Sequence, residues 1–126
     1  MSEAFLEHAN LTVSNPAVTS AMLESVFGWK QRWSGPARDG GTTIHCGGDA
    51  SYLALYTGAN GLHANARFQK GAPLNHVAVV VDDLDDTERR VIASGLVPFS
   101  HDNYAPGRRF YFFDTDNIEF EVVSYA

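Results

Sequence analysis

The feature that most constrains this chain is an internal repeat. LEHANLTVSNP, starting at Leu6, and LNHVAVVVDDL, starting at Leu74, both read Leu-x-His-x-x-[Leu/Val]-x-Val followed by two polar residues. Each is followed by a helix-like stretch that ends in glycine. Self-similarity of this kind marks a duplicated supersecondary unit, so the 126 residues form one domain of two modules. Module one covers about 1–60 and module two about 74–126, with a polar, glycine-containing loop over about 58–73. Either module alone, at roughly 60 residues, is small for a stable core, which predicts that they fold as a pair.

Local signals give each module the same order, βαβββ. In the first, Asn15 caps a helix over 16–27, Pro16 suits its first turn, and Gly28 closes it in a left-handed conformation. In the second, Asp82 or Asp83 caps, Asp85, Asp86 and Glu88 place negative charge near the positive helix end, and Gly95 ends it. Strand-like stretches follow at Trp29–Trp33, Thr42–Cys46 and Ser51–Thr57, then at Leu96–Phe99, Arg109–Asp114 and Asn117–Tyr125. Gly, Pro, Asn and Asp clusters bound them.

Composition excludes several functions. Nine Lys and Arg against 15 Asp and Glu give a formal charge of −6. With no basic run, a phosphate-tracking nucleic-acid binder is not expected. The longest apolar run, His76–Val81, is far short of the roughly 20 residues of a membrane helix. The opening MSEAFLEHAN has neither a charged n-region nor a long apolar stretch, and the single Cys46 cannot form an intrachain disulfide. These features predict a cytoplasmic protein that does not span a membrane. Cys46 itself reads as a small buried hydrophobe.

Strand alternation sorts the polar residues. Ala9, Leu11 and Val13 suit packing on a helix, which turns His8, Asn10 and Thr12 to the other face. Val77, Val79 and Val81 oppose His76, Ala78 and Val80 in the same way, and Ile118, Phe120 and Val122 oppose Glu119 and Glu121. Carboxylates on a sheet face call for a charged partner or a metal. Two imidazoles and one of these carboxylates suit a divalent ion with open coordination positions.

Over nearly its whole length the chain resembles the vicinal oxygen chelate superfamily, which includes glyoxalase I, bleomycin-resistance proteins, fosfomycin-resistance enzymes and extradiol dioxygenases. The opening strand Leu6–Val13, the strand around His76, and Arg108–Glu121 carry the likeness. The last stretch looks like the family's aromatic strand, Asp-Pro-Asp-Gly turn and closing strand, with Thr115 and Asn117 in place of Pro and Gly. The resemblance implies an α+β fold, two βαβββ modules forming a curved mixed-sheet cup, commonly as a homodimer. It implies His8, His76 and Glu121 as ligands of one divalent ion, Fe, Mn, Ni or Zn, Glu121 rather than Glu119 because it stands seven residues after Asp114. The implied activity is chelation of adjacent substrate oxygens by a lyase, isomerase or ring-cleaving dioxygenase. The alternative it implies is a metal-free drug-binding protein of the bleomycin-resistance type. Glyoxalase I carries a fourth ligand where this chain has Ala54 or a neighbour, with no carboxylate. Few of the basic and hydroxyl residues expected for fosfomycin occur near Tyr104–Gly107.

Other candidates follow from position. Asn10, Tyr52, Tyr56 and Arg109 are expected to contact substrate, with Trp29, Gln31 and Trp33 sharing the cup. Tyr111 and His101 are the candidate proton donors or acceptors, while His45 and His63 have no assigned role.

Overall fold

A computed structural model of the chain describes residues 5–37, 40–59, 74–104 and 107–126. The elements are β1 (His8–Thr12), α1 (Pro16–Phe27), β2 (Lys30–Pro36), β3 (Thr42–Gly47), β4 (Tyr52–Thr57), β5 (Val77–Val80), α2 (Leu84–Ala93), β6 (Phe99–Tyr104), β7 (Gly107–Phe113) and β8 (Glu119–Ser124). They make two four-stranded mixed sheets, ordered β1-β4-β3-β2 and β5-β8-β7-β6. In each, the first strand runs parallel to the last and the other pairs are antiparallel. Two compact units result, one holding β1–β4 with most of α1, the other β5–β8 with α2 and the final turn of α1. His63 and the loop segment 60–73 lie outside the described residues.

The helix ends follow the sequence signals. Asn15 Oδ1 accepts from Ala17 N, and Gly28, at φ 71°, donates its N–H to Glu24 O. Asp83 caps α2 through Asp86 N. At the other end Gly95 N bonds Ile92 O and Leu96 N bonds Val91 O, a Schellman pair with Gly95 at φ 83°. That motif uses Leu96, so the strand expected at 96–99 begins instead at Phe99, opposite Tyr111. β2 likewise runs past Trp33 to Pro36, because it is an edge strand where a missing N–H costs no ladder bond.

Each sheet buries the side that meets its helix. Leu11, Val13, Leu53, Leu55 and Cys46 are buried in the first unit, with Cys46 Sγ directed at Ser20 O of α1. In the second, α2 packs on β7 and β8, whose Phe110, Phe112, Phe120 and Val122 are fully buried. Phe27 adds its ring beside Phe112 and Phe120.

The turn from β7 to β8 is tied by Asp114. Its Oδ1 accepts from Asp116 N and Ile118 N, both at 2.9 Å, while Asn117 supplies the left-handed residue at φ 62°. Asp114 Oδ2 is buried and has no partner among the described residues. Burial pushes the Asp114 carboxyl above its usual range, so the folded chain holds this proton more tightly than the unfolded one. Its stabilising contribution therefore falls as pH rises from the unfolded titration through the raised folded value, and stays low above it. Asp114→Asn, which keeps Oδ1 and removes the charge, is expected to be more stable than wild type at neutral pH, with the advantage vanishing near about pH 3. Asp114→Ala is expected to lose about 1–3 kcal/mol against Asp114→Asn, because two turn N–H groups lose their acceptor. Urea unfolding at both pH values checks this.

Candidate functional site

The ladder registers decide which side chains share a face. In the second unit Tyr111 lies opposite Glu121, and Arg109 opposite Val123, so Arg109, Tyr111 and Glu121 point the same way, opposite to the buried phenylalanines. Glu121 is 7% exposed. Its two oxygens are divided: Oε1 lies 3.0 Å from His76 Nε2, and Oε2 accepts from Arg109 Nη1 at 2.9 Å. His76, just ahead of β5, has Nδ1 held by Asn75 Oδ1 at 2.7 Å. With Nδ1 so engaged, the Nε2 lone pair and the carboxylate oxygen need a positive centre between them, a proton or a metal ion. Tyr111 meets the His76 ring edge-on at 5.9 Å.

In the first unit His8 lies opposite Tyr52 and His45 opposite Ala54, which pairs on its other side with Asn10. His8 Nδ1 is 2.9 Å from Glu7 Oε1, so both repeat histidines are oriented through Nδ1 by the residue before them. His8 stacks on Tyr52 at 4.8 Å and His45 does so at 4.5 Å. The Glu7 carboxyl is held below its usual range, first by its hydrogen bond to His8. Burial pushes the His45 imidazole down, and charge on His8 adds to this. His45 therefore contributes stability above its ordinary titration range that is lost as pH falls.

Several expected site residues sit elsewhere. Strand β6, irregular between Phe99 and Asp102, turns His101 towards α2, where Nε2 pairs with Glu88 at 2.8 Å and the ring lies over buried Phe110. His101 is thus not brought to Glu121. Arg109, expected to meet substrate, grips Glu121 instead. Tyr56 is buried, and Asn10 is exposed on β1. An irregularity between Gln31 and Trp33 also breaks the even alternation of β2. Gln31 falls opposite Cys46 on the helix side, while Trp33 falls opposite His45. Among the described residues no three His, Cys, Asp or Glu side chains gather to hold a metal. His8 belongs to the first unit, and His76 and Glu121 to the second.

His45 and Arg32 were not singled out by the sequence. For His45 the signal was present: it precedes Cys46, so alternation puts it on the face away from the helix. Arg32, whose Cζ lies 4.5 Å over the Tyr52 ring, depends on the irregularity and had no signal.

Residues 5–122 match the sequence profile of the Glyoxalase/Bleomycin resistance protein/Dioxygenase superfamily. No curated protein matches the chain in sequence. Among solved structures, a glyoxylase/bleomycin resistance protein/dioxygenase domain from Frankia sp. EAN1pec is similar at TM-score 0.79 and 20% identity, over 98% of this chain and 93% of that one. The fosfomycin resistance protein FosX from Listeria monocytogenes, solved with Mn(II) and sulfate, is similar at TM-score 0.73 and 21% identity over 98% and 93%. FosX from Mesorhizobium loti gives 0.69 and 24% over the same shares.

The Arg109–Glu121 pair is shielded on both sides, with side chains 13% and 10% exposed. Removing one partner of such a pair leaves a buried charge uncompensated. Arg109→Met is expected to cost roughly 3–5 kcal/mol in urea unfolding, and adding Glu121→Gln to recover part of that loss. A cost for Arg109→Met within about 1 kcal/mol of zero, the value of an exposed pair, would show the pair to be open to water in solution.

Proposed function

The chain belongs to the Glyoxalase/Bleomycin resistance protein/Dioxygenase superfamily, and on that premise we propose that it is a metal-dependent enzyme. His8, His76 and Glu121 hold one divalent ion, Fe, Mn, Ni or Zn, and a small substrate presents two neighbouring oxygens to it. The reaction is of the lyase, isomerase or ring-cleaving dioxygenase type, in a cytoplasmic homodimer.

One observation carries the reading. Each proposed ligand has its other polar atom already engaged: His8 Nδ1 by Glu7, His76 Nδ1 by Asn75, and Glu121 Oε2 by Arg109. What is left is Nε2 of His8, together with Nε2 of His76 and Oε1 of Glu121, which face each other at 3.0 Å. Outer partners that fix tautomer and orientation in this way are the usual companions of metal ligands. Two imidazoles and a carboxylate suit these ions and leave coordination positions for substrate.

A divalent ion in such a site supplies Lewis acidity towards the substrate oxygens. The chain's own part is positional. Arg109 fixes the carboxylate, Asn75 and Glu7 fix the rings, and Tyr111, beside His76, is the phenol placed to exchange a hydrogen bond or a proton with a bound oxygen. His101, turned to Glu88, takes no part in this reading.

A second reading, a metal-free binding protein, is favoured by one feature: His76 and Arg109 together already engage both oxygens of Glu121. Metal analysis of protein purified without chelator separates the two. About one equivalent per chain is expected, falling to below about 0.2 in His8→Ala and Glu121→Gln while the far-ultraviolet circular dichroism of His8→Ala is unchanged. Less than about 0.2 equivalents in wild type, with no gain on adding Fe, Mn, Ni or Zn, favours the binding protein.

A further inference from the structure

The first unit presents a row of π systems on the face that carries His8, and one of them is set apart. Tyr52 is stacked by His8 and His45 and covered by the Arg32 guanidinium; Tyr56 is buried. Trp33, by contrast, is 48% exposed. Its indole lies down over Gly35, where a methyl group would come within 2.6 Å of Cζ2 and 2.7 Å of Cη2. The His45 ring lies 5.0 Å away, tilted by 47°. The glycine therefore leaves room for the end of the indole beside the backbone, while nearly half of Trp33 stays open to solvent.

Arg32 stands next along β2. Its guanidinium lies over the Tyr52 ring and is in no ion pair among the described residues. A guanidinium held over a ring by its charge has N–H donors to offer an oxyanion.

We infer that the open face of Trp33 is the stacking platform for a planar aromatic acid, whose ring lies on the indole and whose anionic group is taken by Arg32. Offset stacking on an indole selects a flat π system over an aliphatic chain of equal size, and the fixed cation selects an acid despite the acidic balance of the whole chain. The inference deepens the proposed function by naming its substrate class, and rests on that reading for the site's use in catalysis.

Calorimetric titration of the 126-residue chain with 2-naphthoate tests it, once in EDTA and once with Mn2+, alongside octanoate and 2-(aminomethyl)naphthalene. The expected order is 2-naphthoate at least about tenfold tighter than either control. Trp33→Leu should weaken 2-naphthoate about tenfold, and Arg32→Gln should remove the preference for the acid over the amine. Gly35→Ala, which keeps Trp33 but lifts the indole, should weaken binding as Trp33→Leu does, so a folding defect in one variant does not decide the matter. Equal binding of octanoate, tighter binding of the amine, or no change in both Trp33→Leu and Gly35→Ala overturns the inference. Protein that binds Mn2+ but not 2-naphthoate overturns this inference alone. Protein that binds 2-naphthoate but not Mn2+ overturns the metal reading alone.

Discussion

Each sheet depends on a parallel pair between its first and last strands. A parallel pair cannot be joined by a hairpin; it requires a crossover. Here the crossover is a helix followed by two antiparallel strands, and the order β1-β4-β3-β2 and its copy β5-β8-β7-β6 follow. The same constraint places chemistry. His8 lies on an edge strand against the unit's closing strand, and His76 stands at the mouth of the equivalent edge strand beside β8, which carries Glu121. The helix covers one side of each sheet, leaving the polar residues of the alternate positions on the other.

Within that frame Glu121 is a carboxylate in demanding surroundings. It is nearly buried on a sheet face, and its stability there depends on Arg109 and on whatever positive centre lies between it and His76. The cross-strand register supplies this directly: Arg109, one ladder step from the Tyr111–Glu121 pair, reaches across to Oε2. The arrangement leaves Oε1 as the single carboxylate atom directed at the histidine.

Much of this could be read from the sequence because it rests on short-range rules. Asn15, Pro16 and Gly28 bound α1, Asp83 and Gly95 bound α2, and alternation placed His8, His76 and Glu121 on faces away from the helices. What escaped was set by irregularity or by partner choice. One local irregularity in β2 turns Gln31 to the helix side while Trp33 keeps the face of His45, and Arg32, at the irregularity, lies over Tyr52. The Schellman bonds of Leu96 absorb residues that look like a strand. Arg109 was expected to meet substrate, and no spacing rule says that its guanidinium closes on the Glu121 carboxylate, which the ladder register brings to the same face. For His101, the turn of β6 around Ser100, at φ 53°, decided between two faces that spacing treats alike.

The two halves are copies in topology but not in charge. Ala54 sits opposite Asn10 in the first sheet, and at the matching place in the second Glu121 sits opposite Ala78. The small residue and the polar one have exchanged strands between the copies. A duplicated ancestor with equivalent halves would offer either two carboxylate centres or none; this chain has one. The duplication thus gives one backbone pattern two surfaces: a carboxylate gripped by a guanidinium on one copy, and imidazoles gathered around a phenol on the other.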